Sequence, residues 1–128
     1  MEFTIHFTLD QAQALLSELR PKLEEIVRLK RILDQKGYDV HKHRYFGGMG
    51  PNGQKVFPTE MEDLVELVSE INQIGVQIKD LDAGLIDFPH VRVNGEEVFL
   101  CFRLPESSIG YWHTLDGGFA GRKPIEDL

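Results

Sequence analysis

The chain has one cysteine among 128 residues, so an intrachain disulfide and a multi-cysteine zinc cluster are both excluded. No apolar run approaches the ~18 residues that a membrane-spanning helix needs, and no membrane partner is expected. The opening MEFTIHFTLD lacks a basic stretch followed by an apolar block, so a secretory leader is not expected and a cytoplasmic location is. Positive charge is scarce as well. Fourteen Lys and Arg face 21 Asp and Glu, for a net charge of −7. Nucleic-acid binding requires an excess of phosphate-neutralising cations, so no nucleic-acid partner is expected.

What is present suits one domain with a real core, spanning 1–128. Charge is unevenly placed. Residues 1–58 hold nine Lys/Arg against seven Asp/Glu, and residues 59–128 hold five against fourteen. The chain reads as four parts: helix over 8–37, a Gly-rich loop over 38–58, helix over 59–75 and a β-rich region over 76–122.

In the first part Leu9, Ala12, Leu16, Leu19, Leu23, Ile26 and Leu33 recur at steps of three and four, a helical seam capped by Thr8 or Asp10. Pro21 removes a donor and predicts a kink or a restart near Ser17–Arg20. Ahead of it, the alternation Phe3, Ile5, Phe7 predicts a short strand. Thr59 and Glu62 have capping-box spacing before Met61, Leu64, Val65, Val68 and Ile71. An antiparallel arrangement would bring Arg28, Lys30 and Arg31 toward Glu60, Glu62, Asp63 and Glu66. A helix of about 27 residues spans ~40 Å, and its long apolar stripe makes a homodimer through the helices an expectation. The intervening loop contains His41 and His43 in H-x-H spacing and the run GGMGPNG, which lacks the lysine of a phosphate-binding loop.

Strand signals fill the last third. Val76–Asp80 alternates, Gly84–Phe88 follows, and Pro89 predicts an edge position or a bend. Asn94-Gly95 between Val91–Val93 and Glu96–Leu104 predicts a two-residue type I′ hairpin. In the longer strand Val98, Leu100, Phe102 and Leu104 share one face, with Phe99, Cys101 and Arg103 on the other. Both faces are largely apolar, which predicts a central, doubly covered strand with Cys101 as a buried small hydrophobe. A last strand spans Ile109–Thr114, where alternation sends Trp112 and His113 to opposite faces.

The fold class that follows is α+β: a long antiparallel helical hairpin packed on a small antiparallel β-sheet formed by the C-terminal half. Chemistry-bearing residues cluster in that half. Asp82, Asp87, Arg103, His113, Asp116 and Arg122 are the candidate ligand-binding set, expected to converge on one hollow at the sheet's rim. Arg103 needs a carboxylate or a ligand anion if covered. Arg122 can clamp a phosphate or carboxylate, and Gly117, Gly118 and Gly121 permit close backbone approach. Asp82, Asp87, His113 and Asp116 are the candidate ligands for a divalent metal; no other cofactor is expected. Calcium of the EF-hand type is excluded by Gly84 at a ligand position and by the missing glutamate at position twelve.

The segments FTLDQAQALLSELRP, GVQIKDLDAGLIDFP and VFLCFRL, with IGYWHTLDGGFAGRKPI, together resemble an uncharacterised prokaryotic family, domain of unknown function 2203. The pairing of D-L-D-x-G-L-x-D-F-P with W-H-x-x-D-x-G-F-A-G-R carries the resemblance. The chain departs from the family's pattern at Phe102, where a tryptophan is common, and at Pro105-Glu106, where a Gly-Glu pair is. The resemblance implies no activity or cofactor. Three functions stay open: a non-catalytic ligand-binding or scaffold protein with a polar pocket in the C-terminal sheet; a metal-dependent hydrolase-like enzyme using the Asp/His cluster; and a partner-binding adaptor acting through the helical hairpin or the loop 38–57.

Overall fold

The computed structural model describes residues 1–45 and 57–128. Helix α1 spans Leu9–Gln35 and helix α2 Thr59–Gln73; between them a two-residue β1, Tyr38–Asp39, pairs with β2, Arg44–Tyr45. The chain after α2 forms five strands: β3 Gln77–Asp80, β4 Leu85–Val91, β5 Glu97–Arg103, β6 Tyr111–Thr114 and β7 Lys123–Pro124. They lie in sequence order in one antiparallel sheet. The α+β class is therefore as the sequence indicates, and β5 is the central strand.

Thr8 starts α1 through a capping box. Its hydroxyl accepts from the Gln11 backbone N–H, and the Gln11 side chain accepts from the Thr8 N–H. The helix runs unbroken through Pro21, so the expected restart is absent. Ala12, Leu16, Leu19, Leu23, Ile26, Leu29 and Leu33 are buried along it. They join Ile86, Phe88, Val98, Leu100, Phe102 and Trp112 from the sheet and Met61, Leu64 and Ile71 from α2 in one hydrophobic cluster. The apolar stripe that suggested a helix-mediated dimer is covered within the chain itself.

The helices are antiparallel neighbours, as the ion pairs Lys36–Glu60 and Lys22–Glu70 show. Different lysines make these pairs from those expected. Arg28 makes its hydrogen-bonded pair with Glu25 on its own helix but lies, as expected, in the field of Glu60 and Asp63, while Lys30 pairs with Asp34 and Asp82. The cap of α2 is Pro58, with no side-chain hydrogen bond; Thr59 is already helical, so the capping box is not formed.

Three further expectations are corrected. Residues 38–45 are a small hairpin rather than loop, with Asp39 Oδ1 accepting from the His41 and Lys42 N–H groups and His43 at φ 56°. The GGMGPNG run lies outside the described residues. The segment Phe3–Phe7 is not a strand, although the Phe7 N–H donates to the Pro89 carbonyl. Pro89 sits inside β4, which is not an edge strand, although β3 pairs only as far as Asp87 and leaves the Pro89 side of β4 open. Its carbonyl faces Phe7, and in an antiparallel ladder N and C=O of one residue point the same way, so the missing donor is not owed to β5. Among the described residues no helix is long and apolar enough to cross a membrane.

Candidate functional site

Strand alternation gives the sheet two unlike faces. One carries the aliphatic and aromatic residues beneath α1. The other carries Lys79, Asp87, Phe99, Cys101, Arg103, Tyr111 and His113. Register aligns Asp87, Cys101 and Tyr111 across β4, β5 and β6, and sets His113 beside Phe99. Phe3 covers Phe99, with ring centroids 5.2 Å apart. The backbone N–H groups of Glu2 and Phe3 and the His6 ring donate to Glu97, holding that N-terminal segment over the face.

Beneath this cover His113 Nε2 lies 3.0 Å from Asp87 Oδ2, and Nδ1 lies 2.7 Å from the Thr114 carbonyl to which it donates. Asp87 and His113 are both 2% exposed and Cys101 is fully buried. Donor atoms of Asp87, Cys101 and His113 fall within 4.8 Å of one another. Burial works against a charged imidazole. The hydrogen bonds to Asp87 and Thr114 and the Asp87 charge outweigh it, so the His113 pKa lies above the usual value. Burial first, and then the Asp87 carboxylate, push the Cys101 thiol well above the ordinary cysteine value, with Arg122 opposing them. The thiol is a poor nucleophile. Asp87 Oδ1 is buried without a hydrogen-bond partner. Lys79 Nζ lies 3.9 Å from Asp87 Oδ2 and 4.4 Å from the Phe99 ring centroid.

A second cluster lies at the end of the same face. Chain direction changes after β5 through a cis Leu104–Pro105 peptide, and the Arg103 N–H donates to Glu106 Oε1. Glu106 Oε2 accepts from the Arg122 guanidinium, which stacks 3.8 Å above the Tyr111 ring centroid and 4.8 Å from that of Phe119. The Arg103 guanidinium shares Phe119, at 5.4 Å. Arg122 Nε is buried without a hydrogen-bond partner. Arg103 is exposed, and among the described residues no carboxylate pairs with its guanidinium. Phe119–Gly121 form a 3-10 turn after Gly118, whose φ of 62° brings the chain round to β7.

The six candidate residues thus do not converge on one hollow. Asp87 and His113 meet; Arg103 and Arg122 share an aromatic ring. Asp82 lies elsewhere, 2.9 Å from Lys30 Nζ, in a groove of about 850 Å³ between α2, the β1–β2 hairpin and β3 that His41 and His43 also line. Asp116 is exposed in the turn that the Gly117 N–H closes on the Thr114 carbonyl. Among the described residues the one close group of possible metal ligands is Asp87, Cys101 and His113. Asp82 and Asp116 are not in it, and Cys101, expected only as packing, is. Glu106 and Lys79 are the other polar contributors that sequence pattern did not single out, and Lys30, expected beside the acidic start of α2, meets Asp82 instead. The alternation that put Cys101 on the face of Arg103 was the available signal.

No curated protein and no solved structure matches the chain. A family match covers residues 6–125, nearly its whole length, and takes in both clusters. The chain belongs to the family described as "Uncharacterized conserved protein (DUF2203)".

Proposed function

We propose that the chain is a non-catalytic binding protein that receives a small anionic ligand where Arg103 and Arg122 flank Phe119. One observation carries this reading. Two guanidiniums share one ring, yet Glu106 answers only that of Arg122, and Arg122 keeps a buried Nε–H with no acceptor. A buried donor without a partner is destabilising by ~1–3 kcal/mol, and a carboxylate or phosphate oxygen would relieve it. Stacking on Tyr111 and Phe119 holds the Arg122 plane in place before a ligand arrives, which lowers the entropy lost on binding.

The neighbouring groups support binding over turnover. His113 has both ring nitrogens engaged, at Thr114 and Asp87, so neither is free to take a proton from a substrate. The Cys101 thiol is buried and held protonated. A free thiol suits a cytoplasmic setting.

Titration with inorganic phosphate, and separately with succinate, tests the reading by nuclear magnetic resonance of arginine Nε–H groups. Saturable shifts at Arg122 are expected, weakened about tenfold, or ~1.4 kcal/mol, in Arg103→Ala. Equal affinity in that variant, or shifts spread over unrelated lysines, would remove the anion site.

A further inference from the structure

The buried trio on β4, β5 and β6 has a role that the anion reading does not use. We infer that Asp87, Cys101 and His113 form a binding site for a borderline-soft divalent transition metal of the zinc class. A carboxylate oxygen, a thiol sulfur and an imidazole nitrogen are the donor types such ions take. Here they come from the central strand and its two neighbours, with the ligand atoms within 4.8 Å of one another. Bond lengths of roughly 2.0–2.3 Å place tetrahedral ligands about 3.3–3.8 Å apart, so on binding the wider separations close by about 1 Å and the 3.0 Å His113–Asp87 contact opens slightly.

The imidazole is already oriented as a ligand. Nδ1–H donates to the Thr114 carbonyl, so the proton on that nitrogen is fixed and Nε2 points at the Asp87 carboxylate. A backbone carbonyl on the far nitrogen is the usual outer partner of a metal-bound histidine. Thr114 O and Asp87 Oδ2 are both acceptors, so without metal a proton must lie between Nε2 and Oδ2. A cation takes that place, and the free Asp87 Oδ1 gives the carboxylate a second oxygen to offer.

Charge balance explains how a buried site can admit a dication. Without metal, the protonated imidazole, the carboxylate and the neutral thiol sum to zero. With metal, the dication, carboxylate, thiolate and neutral imidazole also sum to zero. Binding one cation therefore releases two protons, one from Nε2 and one from Sγ, with no oxidation or reduction. Burial penalises net charge and not this exchange. The other charged groups facing the trio are Lys79 from β3 and, near Cys101, Arg122 and Glu106. Lys79 opposes a cation, but its side chain is 39% exposed and can withdraw to solvent.

The test is cobalt titration of the chelator-stripped, full-length protein, followed by visible and near-ultraviolet absorption. One equivalent is expected, with a sulfur-to-cobalt charge-transfer band, displaced by zinc. Calorimetry in two buffers of different ionisation enthalpy should read two protons released per ion from the protonated site. Cys101→Ala should abolish the band, and His113→Gln should weaken binding at least tenfold. His41→Ala with His43→Ala should change neither. Cobalt bound without the thiolate band in the unaltered protein would overturn the site, even if the variants fail to fold. So would substoichiometric binding, or loss of binding in the His41/His43 variant. The arginine–phosphate titration is unaffected by any of these outcomes, since it reads other residues.

Discussion

His113 Nε2 and Asp87 Oδ2 lie 3.0 Å apart although 26 positions separate the residues and their strands are not neighbours. The two side chains reach each other over β5, on the face away from α1. This contact joins both halves of the sheet, and the Cys101 thiol lies beside it.

Asp87→Ala should destabilise the fold by ~3–5 kcal/mol, because it leaves an unpaired buried imidazole. Asp87→Asn keeps an acceptor and should lose only ~1–3 kcal/mol. Urea denaturation of the metal-free protein measures both. Equal losses would mean that packing, and not the pair, matters there.

Asp82→Ala should change stability by less than ~1 kcal/mol, since its carboxylate is 68% exposed and Lys30 keeps Asp34 as a partner. Phosphate and cobalt binding should both be unchanged. A loss of either would bring Asp82 back into the functional set from which its position removes it.

Acid should release the N-terminal cover. The His6 hydrogen bond lowers the Glu97 pKa below its ordinary 4.5; burial, the next largest influence, opposes it, and the Glu2 and Phe3 N–H groups add to the lowering. A depressed carboxyl stabilises the fold above its unfolded value, and that contribution disappears as pH falls through the lower folded value. Amide resonances of Glu2 and Phe3 should therefore shift together below pH 4.5. Movement near neutral pH instead would assign the clasp to another group.

Gly84→Ala should destabilise by ~1–2 kcal/mol from backbone conformation alone. Gly84 has φ +64°, and an added Cβ would lie 2.6 Å from Leu104 Cδ1. Leu23→Ala should have a larger effect, ~2–5 kcal/mol, since Leu23 is fully buried in the main cluster. Thermal unfolding of the two variants ranks them. The reverse order would indicate that α1 packs more loosely than its burial shows.

Much of the architecture was legible because it is periodic. The three-and-four spacing from Ala12 to Leu33 gave α1, and the alternation from Val98 to Phe102 gave a central strand. Pro21 did not restart the helix because it lies on the exposed side, where a lost donor leaves the packed side intact. Strand β7 was missed because Lys123 and Pro124 carry no alternation of their own.

The grouping of the site turned on a hairpin. A two-residue turn at Asn94-Gly95 would pair Val93 with Glu96 and set Asp87 opposite Phe102. The Gly95 N–H instead donates to the Arg92 carbonyl, Gly95 alone there has positive φ (89°), and the Arg92 N–H donates to Glu96. This is a three-residue loop with a bulge, and it sets Asp87 opposite Cys101. One residue of register decides which face a side chain joins.

The sequence by itself determined the two helices, the central strands and their order, since those follow from local spacing and burial preference; the short strands β1, β2 and β7 do not. Only the tertiary structure decided which polar groups meet. Asp82 went to Lys30, Arg122 to Glu106, and Asp87 to His113 and Cys101, because strand register and the path of the chain between elements set distances that no linear spacing encodes.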